Sequence, residues 1–252
     1  MMFDTHAHLA DSRFKEDRDQ VIKNAVQKGV SGIICVCSDF EELDVFCRLL
    51  EEYDFIYGAA GIHPHDASRY RELQPELYRA LMQDKIVALG EIGLDYYYEN
   101  SPRDVQKKAF RSQLVLAKQK NLPVIVHCRE AMKDALSILQ DEEIHRGVMH
   151  CFSGTENDMR ICLDMGLYIS LAGPVTFPRA SKLQTIARLL PMERLLVETD
   201  SPYLAPQPVR GRRNEPSFVR YIIEKIASLR EIPEGKLSQI TSQNARRLFN
   251  LL

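Results

Sequence analysis

Eight short apolar runs, set apart by longer amphipathic segments, constrain the fold of this chain more than any other feature. They are Met2-Phe3, Ile33 to Val36, Phe55 to Ala60, Ile86 to Gly90, Val124 to Val126, Gly147 to Met149, Leu167 to Leu171 and Leu195 to Val197. Each is continuously apolar rather than alternating, which suits a parallel sheet covered on both faces. The segments between them carry apolar stripes at helical spacing: Val21, Ile22, Ala25 and Val26; Leu43, Phe46, Leu49 and Leu50; Phe110, Leu114 and Ala117. Ser38-Asp39-Phe40-Glu41 reads as a capping box, and Ser101-Pro102 as an N-cap serine followed by proline at the first helical position. Strand then helix, eight times over, predicts a single (β/α)8 TIM barrel spanning residues 1–252. An open doubly wound sheet is the competing architecture, and the lack of G-x-G-x-x-G after the first strand counts against it. Beyond the eighth run lie a loop rich in proline and arginine, Pro202 to Asn214, and two or three extra C-terminal helices.

Charge excludes one class of function. Lys and Arg number 33 against 35 Asp and Glu, a net charge of -2. A nucleic-acid binder that works by bulk positive charge is ruled out, while a local basic patch is not. The start, Met1 to His6, has neither the basic nor the long apolar region of a signal peptide. No stretch of about 18 apolar residues is present, so no membrane span is expected. The six cysteines, at 35, 37, 47, 128, 151 and 162, form no C-x-x-C pair. They are expected as reduced thiols in a cytoplasmic, monomeric protein.

The histidines gather where chemistry is expected. His6 and His8 follow the first run, His63 and His65 the third, His127 the fifth and His150 the sixth; only His145 lies elsewhere. Glu91 follows the fourth run and Asp200 the eighth. A barrel brings all its C-terminal strand ends to one face, where active sites lie. His6, His8, Glu91, His127, His150 and Asp200 thus make six potential ligands in one pocket. Taken singly, each reads equally as a loop or capping residue. Together they exceed a closed tetrahedral zinc site and suit two divalent ions, Mg, Mn or Zn, sharing a carboxylate.

Other residues are expected around the substrate. Arg210, Arg212 and Arg213 crowd the loop after the eighth run. They read either as a phosphate grip, Arg212 and Arg213 above all, or as a solvated turn. His65, Arg129, Ser153 and Tyr203 are further candidates for substrate contacts. Tyr96-Tyr97-Tyr98 reads either as a base-stacking surface or as plain loop packing.

At this point the chain resembles the TatD family. The resemblance rests on Asp4-Thr5-His6-Ala7-His8-Leu9, Gly61-Ile62-His63-Pro64-His65 and Gly90-Glu91-Ile92-Gly93-Leu94-Asp95. It continues through Val126-His127-Cys128-Arg129, His150-Cys151-Phe152-Ser153-Gly154, Glu198 to Leu204, Arg212 to Pro216 and the Asn244 to Phe249 ending. The resemblance implies a TIM-barrel, metal-dependent deoxyribonuclease within the wider amidohydrolase-like superfamily. Carried over, it puts one metal on His6, His8, Glu91 and Asp200, and a second on Glu91, His127 and His150.

The expected activity is therefore two-metal phosphodiester hydrolysis, as a 3′ to 5′ exonuclease on single-stranded DNA. Asp200 would act as ligand and proton acceptor, Glu91 as the shared carboxylate, and His63 would protonate or steer the leaving oxygen. The competing expectation keeps the metals and changes the bond, as in an aminoacyl-tRNA deacylase or a small-molecule amidohydrolase. RNA or tRNA is then a partner alongside DNA. A metal-binding protein without activity is the third reading, and an intact ligand set argues against it.

Overall fold

The computed structural model describes residues 1–251, and among them eight strands form one sheet in the order of the chain. The strands are β1 (Met2–Ala7), β2 (Val30–Cys37), β3 (Ile56–Ala60), β4 (Ile86–Asp95), β5 (Val124–Arg129), β6 (Gly147–Met149), β7 (Tyr168–Leu171) and β8 (Leu195–Val197). Every adjacent pair is parallel. Parallel neighbours need a crossover, and a helix supplies each one. The helices are α1 (Arg18–Gln27), α2 (Leu43–Glu52), α3 (Tyr70–Ala80), α4 (Arg103–Lys120), α5 (Met132–Asp141), α6 (Glu156–Asp164) and α7 (Ser181–Leu189). After β8 come α8 (Val219–Arg230) and an additional helix, α9 (Glu234–Phe249).

The sheet closes on itself. Ala7 forms a parallel bridge with Ser201, just beyond β8. The Asp200 N–H donates to the His6 carbonyl at 2.9 Å, and the His8 N–H to the Ser201 carbonyl at 2.7 Å. Buried Asp4 reinforces the same seam by accepting from the Thr199 N–H at 2.8 Å and hydroxyl at 2.5 Å. The architecture is the (β/α)8 barrel that the eight apolar runs predict.

Alternation along the strands sorts the core into two layers. Ile33, Cys35 and Cys37 of β2 pack in the layer shared with the helices. Ile34 and Val36 point the other way and join Phe3, Ala59, Ala88, Ile125, Val148, Tyr168 and Leu196 inside the barrel. Helix α9 adds Ala245, Leu248 and Phe249 to this inner cluster. Its Asn244 amide donates to the carbonyls of Met192 at 2.7 Å and Leu195 at 2.9 Å, while Ser238 and Ser242 donate to that of Met1. Helix α9 therefore covers the N-terminal strand ends, and apolar side chains fill that half of the interior. The polar half is left at the C-terminal ends.

Several strands run further than their apolar runs. β1 extends to Ala7, β4 to Asp95 and β5 to Arg129, so His6, Glu91 and His127 lie within strands rather than after them. Two caps also differ from expectation. Asp39, not Ser38, accepts the Glu41 N–H at 3.0 Å, and it starts a single 3-10 turn ahead of α2. The Ser101 hydroxyl instead donates to the His65 carbonyl at 2.8 Å and accepts from the Ser68 N–H at 3.1 Å. Pro102 occupies the cap position of α4, and Ser101 ties the loop after β3 to the loop after β4.

Candidate metal centre

Glu91, carried on β4, stands at the middle of the polar end. Its Oε2 lies 3.5 Å from His6 Nε2 and 3.7 Å from His8 Nε2. Its Oε1 lies 2.8 Å from both His127 Nδ1 and His150 Nε2, and 3.6 Å from His63 Nε2. His6 Nε2 and His8 Nε2 are 3.2 Å apart and lie 3.7 and 3.5 Å from Asp200 Oδ1. Three sets of donor atoms are each compact enough for one cation: His6, His8 and Asp200; His6, Glu91 and His150; His63, Glu91 and His127. All six residues singled out as ligands meet here, from β1, β4, β5 and the segments after β1, β6 and β8.

Two further carboxylates set the proton positions on the rings. Asp95 Oδ2 lies 3.0 Å from His127 Nε2, and Glu198 Oε1 lies 3.1 Å from His150 Nδ1. In the neutral ring each carboxylate suits a ring N–H, and the opposite nitrogen is then a lone pair facing Glu91. A neutral lone pair opposite a carboxylate is unfavourable unless a cation or a proton lies between them. This is the donor chemistry of a cation site, and imidazole plus carboxylate suits Zn, Mn and Mg. Cys151 is close by, but burial, then the facing Asp200 and Glu198, push its thiol well above the ordinary range.

Protons occupy the same space in the absence of a cation. Burial lowers the basicity of His150, yet the facing Glu91 and Glu198 prevail and hold it well above the usual imidazole range. His127 and His8 are raised in the same way, by Asp95 with Glu91 and by Asp200 with Glu91. Burial alone would raise Glu91, but the surrounding histidines hold it well below the usual carboxylate range. His63 behaves differently. Burial pushes it down to about 4. Its Nδ1 accepts the His65 N–H at 3.2 Å, so the neutral ring carries its proton on Nε2, the atom turned towards Glu91.

The candidate substrate residues separate into distinct surroundings. Arg129 lays its guanidinium over Tyr97 at 3.9 Å and Tyr98 at 4.7 Å, and both rings are exposed. His65 Nε2 lies 3.2 Å from Asp95 Oδ2, with its ring edge-on to Tyr98 at 5.5 Å. Tyr203 stands edge-on to His8 at 5.8 Å. Ser153 and Arg212 are exposed. Arg213 is engaged elsewhere: it donates to Asp17 at 2.6 and 2.8 Å and to the Arg13 carbonyl at 2.6 Å, and it lies over Phe14. Sequence reasoning missed Asp95 and Glu198 as ring-orienting groups, although both lie inside the motif segments. It also missed Asn214, which is buried and pins the loop after β8 by donating to the carbonyls of Thr199 and Tyr203 at 2.8 and 2.6 Å.

Known proteins resemble this chain along nearly its whole length. A family model described as TatD related DNase matches residues 3–250. A Bacillus subtilis protein named as an uncharacterized metal-dependent hydrolase is 44% identical over 254 residues, covering 100% of both chains. A protein of Erwinia tasmaniensis named as the 3′-5′ ssDNA/RNA exonuclease TatD is 39% identical over 259 residues, 99% of this chain and 100% of its own. The crystal structure of YJJV, a TatD homologue from Escherichia coli, superposes with a TM-score of 0.91 at 32% identity, covering 99% of this chain and 98% of that one. With the match running nearly end to end over a barrel whose polar face gathers these histidines and carboxylates, the chain belongs to the TatD family and is a metal-dependent hydrolase.

Proposed function

We propose that this enzyme is a two-metal exonuclease that removes nucleotides from the 3′ end of single-stranded DNA, with RNA as a second substrate. One observation carries the reading: Glu91 turns one oxygen to His6 and His8 and the other to His127 and His150. A carboxylate placed between two groups of imidazole lone pairs suits a bridge between two ions. In this reading His6, His8, Glu91 and Asp200 would hold one divalent ion, and Glu91, His127 and His150 would hold the other. When bound, such ions neutralise charge on the phosphoryl oxygens and lower the pKa of the attacking water.

The chain's own groups do the rest. Asp200, held low by its hydrogen bond to His8 and by the nearby histidines despite burial, accepts the proton of the attacking water. His63, neutral at pH 7, donates its Nε2–H to the leaving oxygen and steers it; it is not the imidazolium acid of a simple acid–base pair. Arg129, Tyr97, Tyr98 and His65 form one flank, with a cation for phosphate and exposed rings for unpaired bases. Arg212 and Tyr203 belong to the loop after β8 on the other flank, and Ser153 lies exposed in the loop after β6. The near-neutral overall charge gives no long-range pull on duplex DNA, so recognition is local. Relatives named as 3′-5′ ssDNA/RNA exonucleases support this substrate and polarity. All six cysteines are free and no helix among the described residues is long and apolar enough to cross a membrane. We place the enzyme, as a monomer, in the reducing cytoplasm.

The test is a time course on 5′-labelled linear single-stranded DNA with each divalent ion in turn, beside a covalently closed circle of the same sequence. The linear strand is expected to shorten from its 3′ end while the circle stays intact, and Glu91→Ala to lose activity by several orders of magnitude. Linearised circles would overturn the exonuclease reading. Hydrolysis of aminoacyl esters alone, with DNA untouched under every ion, would overturn the nuclease reading as a whole.

A further inference from the structure

Beside His8, at the edge of the metal centre, lies a polar cavity of about 230 Å³. Tyr203, Arg13, Asp39 and Glu42 line it together with Asp11 and with His8 of the centre itself. The volume is below the roughly 300–1,000 Å³ of sites for drug-sized ligands, so it takes one nucleoside-sized group and not a length of chain. Tyr203 presents a ring that is 43% exposed, held by the Arg13 guanidinium stacked 4.1 Å from its centroid and by its hydroxyl against Asp11. Such a ring is a ready surface for a base.

Charge decides which end of a strand can enter. Arg13 is the cavity's cation, and it is bound to Asp11 by two hydrogen bonds of 3.0 and 2.8 Å. Asp39 and Glu42 also line the space, and neither forms an ion pair with a basic side chain, although Arg18 acts on Glu42 from further off. Each uses one oxygen on a backbone N–H, Glu41 for Asp39 and Ser12 for Glu42, and keeps the other as an acceptor. Sugar hydroxyls donate to such oxygens, whereas a phosphate is repelled by them.

We propose that this cavity receives the 3′-terminal nucleoside of the strand, with the base on Tyr203 and a free sugar hydroxyl on Asp39 and Glu42, and that it refuses a terminal phosphate. The proposal rests on the exonuclease reading and adds its end-group specificity. It also gives the strand a direction across Glu91. The terminal nucleoside sits on the Oε2 side with His8, and the leaving chain on the Oε1 side with His63, Arg129 and the tyrosines. Water adds its OH to phosphorus, the bond from phosphorus to the penultimate O3′ breaks, and that oxygen takes the remaining proton. A nucleoside 5′-monophosphate leaves the cavity.

The experiment compares two 5′-labelled single-stranded oligodeoxynucleotides, identical except for a 3′-hydroxyl or a 3′-phosphate end, on metal-loaded protein. Wild type is expected to degrade the hydroxyl end at least tenfold faster. The double variant Asp39→Asn with Glu42→Gln keeps both backbone contacts and should bring the ratio below threefold. A second readout does not need turnover: an oligonucleotide with a phosphorothioate last linkage and 2-aminopurine as its last base. Its fluorescence should be quenched on binding wild type and much less on binding Tyr203→Ala. Equal rates on both ends in wild type would overturn the proposal while leaving the nuclease reading standing. Undiminished selectivity in the double variant, or unchanged quenching in Tyr203→Ala, would also overturn it. Failure to degrade either end would overturn the nuclease reading itself.

Discussion

Asp95 uses both of its oxygens. Oδ1 accepts the backbone N–H groups of Tyr97 and Tyr98, while Oδ2 faces the rings of His65 and His127. The residue is thus a positioning group that joins the Arg129–tyrosine flank to a candidate ligand. Asp95→Asn keeps the shape and removes the charge that fixes the His127 tautomer. Affinity for the ion at His127 and His150 should fall by about 10–100-fold, as for other groups behind metal-bound histidines. Competition with a chromophoric chelator measures this, and unchanged affinity would contradict the role. The two arginines of the loop after β8 make a second comparison. Arg213→Ala loses its pair with Asp17 and should lower stability while leaving the salt dependence of DNA binding alone. Arg212→Ala should leave stability alone and reduce the slope of log affinity against log salt by about 1, one phosphate contact. Identical slopes for both variants and the parent would make the loop a solvated turn. The four histidine ligands were legible because nearly every histidine follows an apolar run, and Glu91 and Asp200 because they directly follow runs whose ends meet those histidines in a barrel. Asp95 and Glu198 were not, because a carboxylate near a strand end is common and only geometry shows which ring it faces.

The contact between β4 and β5 sets the distance from Glu91 to His127. Gly93, at φ +144°, sits so close that a Cβ would come 1.9 Å from the His127 carbonyl oxygen. That neighbour is backbone, so it cannot rotate away. Gly93→Ala should force the two strands apart at the site and cost at least the ~1–3 kcal/mol of an overpacked core. The midpoint of thermal unfolding should then drop by several degrees, with metal affinity falling alongside. Gly235, where a Cβ meets nothing within 4 Å, is the control. Gly235→Ala, near the start of α9, should be neutral or stabilise by up to about 1 kcal/mol. An unfolding curve for Gly93→Ala that matches wild type would contradict this account. At this scale all eight strands were legible, because short continuous apolar runs between amphipathic segments suit a parallel sheet covered on both faces. Their C-terminal ends were not, because His6, Glu91 and His127 replace apolar side chains just where the barrel interior turns polar. The Ser101 cap misled for a related reason: its hydroxyl found better partners in a neighbouring loop than in its own helix.

The molecule as a whole divides its barrel between packing and chemistry. Helix α9 and the inner apolar cluster hold the N-terminal end, while the C-terminal end concentrates imidazole and carboxylate donors compact enough to take a cation. Ion binding should therefore stabilise the fold, since unfolded chain offers no such site. At an ion concentration one hundred times its Kd the gain is about 2.7 kcal/mol. For a chain of this length that corresponds to a rise of roughly 5–10 °C in Tm. Chelator dialysis should remove it, and readdition of Mn or Zn should restore it. Calorimetry showing the same Tm with and without ions would mean that the polar end binds no ion in preference to the unfolded chain.

Whether Glu91 joins two metal ions is visible in diffraction from crystals saturated with Mn, recorded with its anomalous signal. Two peaks about 3.5–4 Å apart are expected. One should lie among His6, His8 and Asp200, the other among His127 and His150, with Glu91 reaching both. A single peak at saturating Mn, with His127 and His150 left unligated, would contradict the bridge.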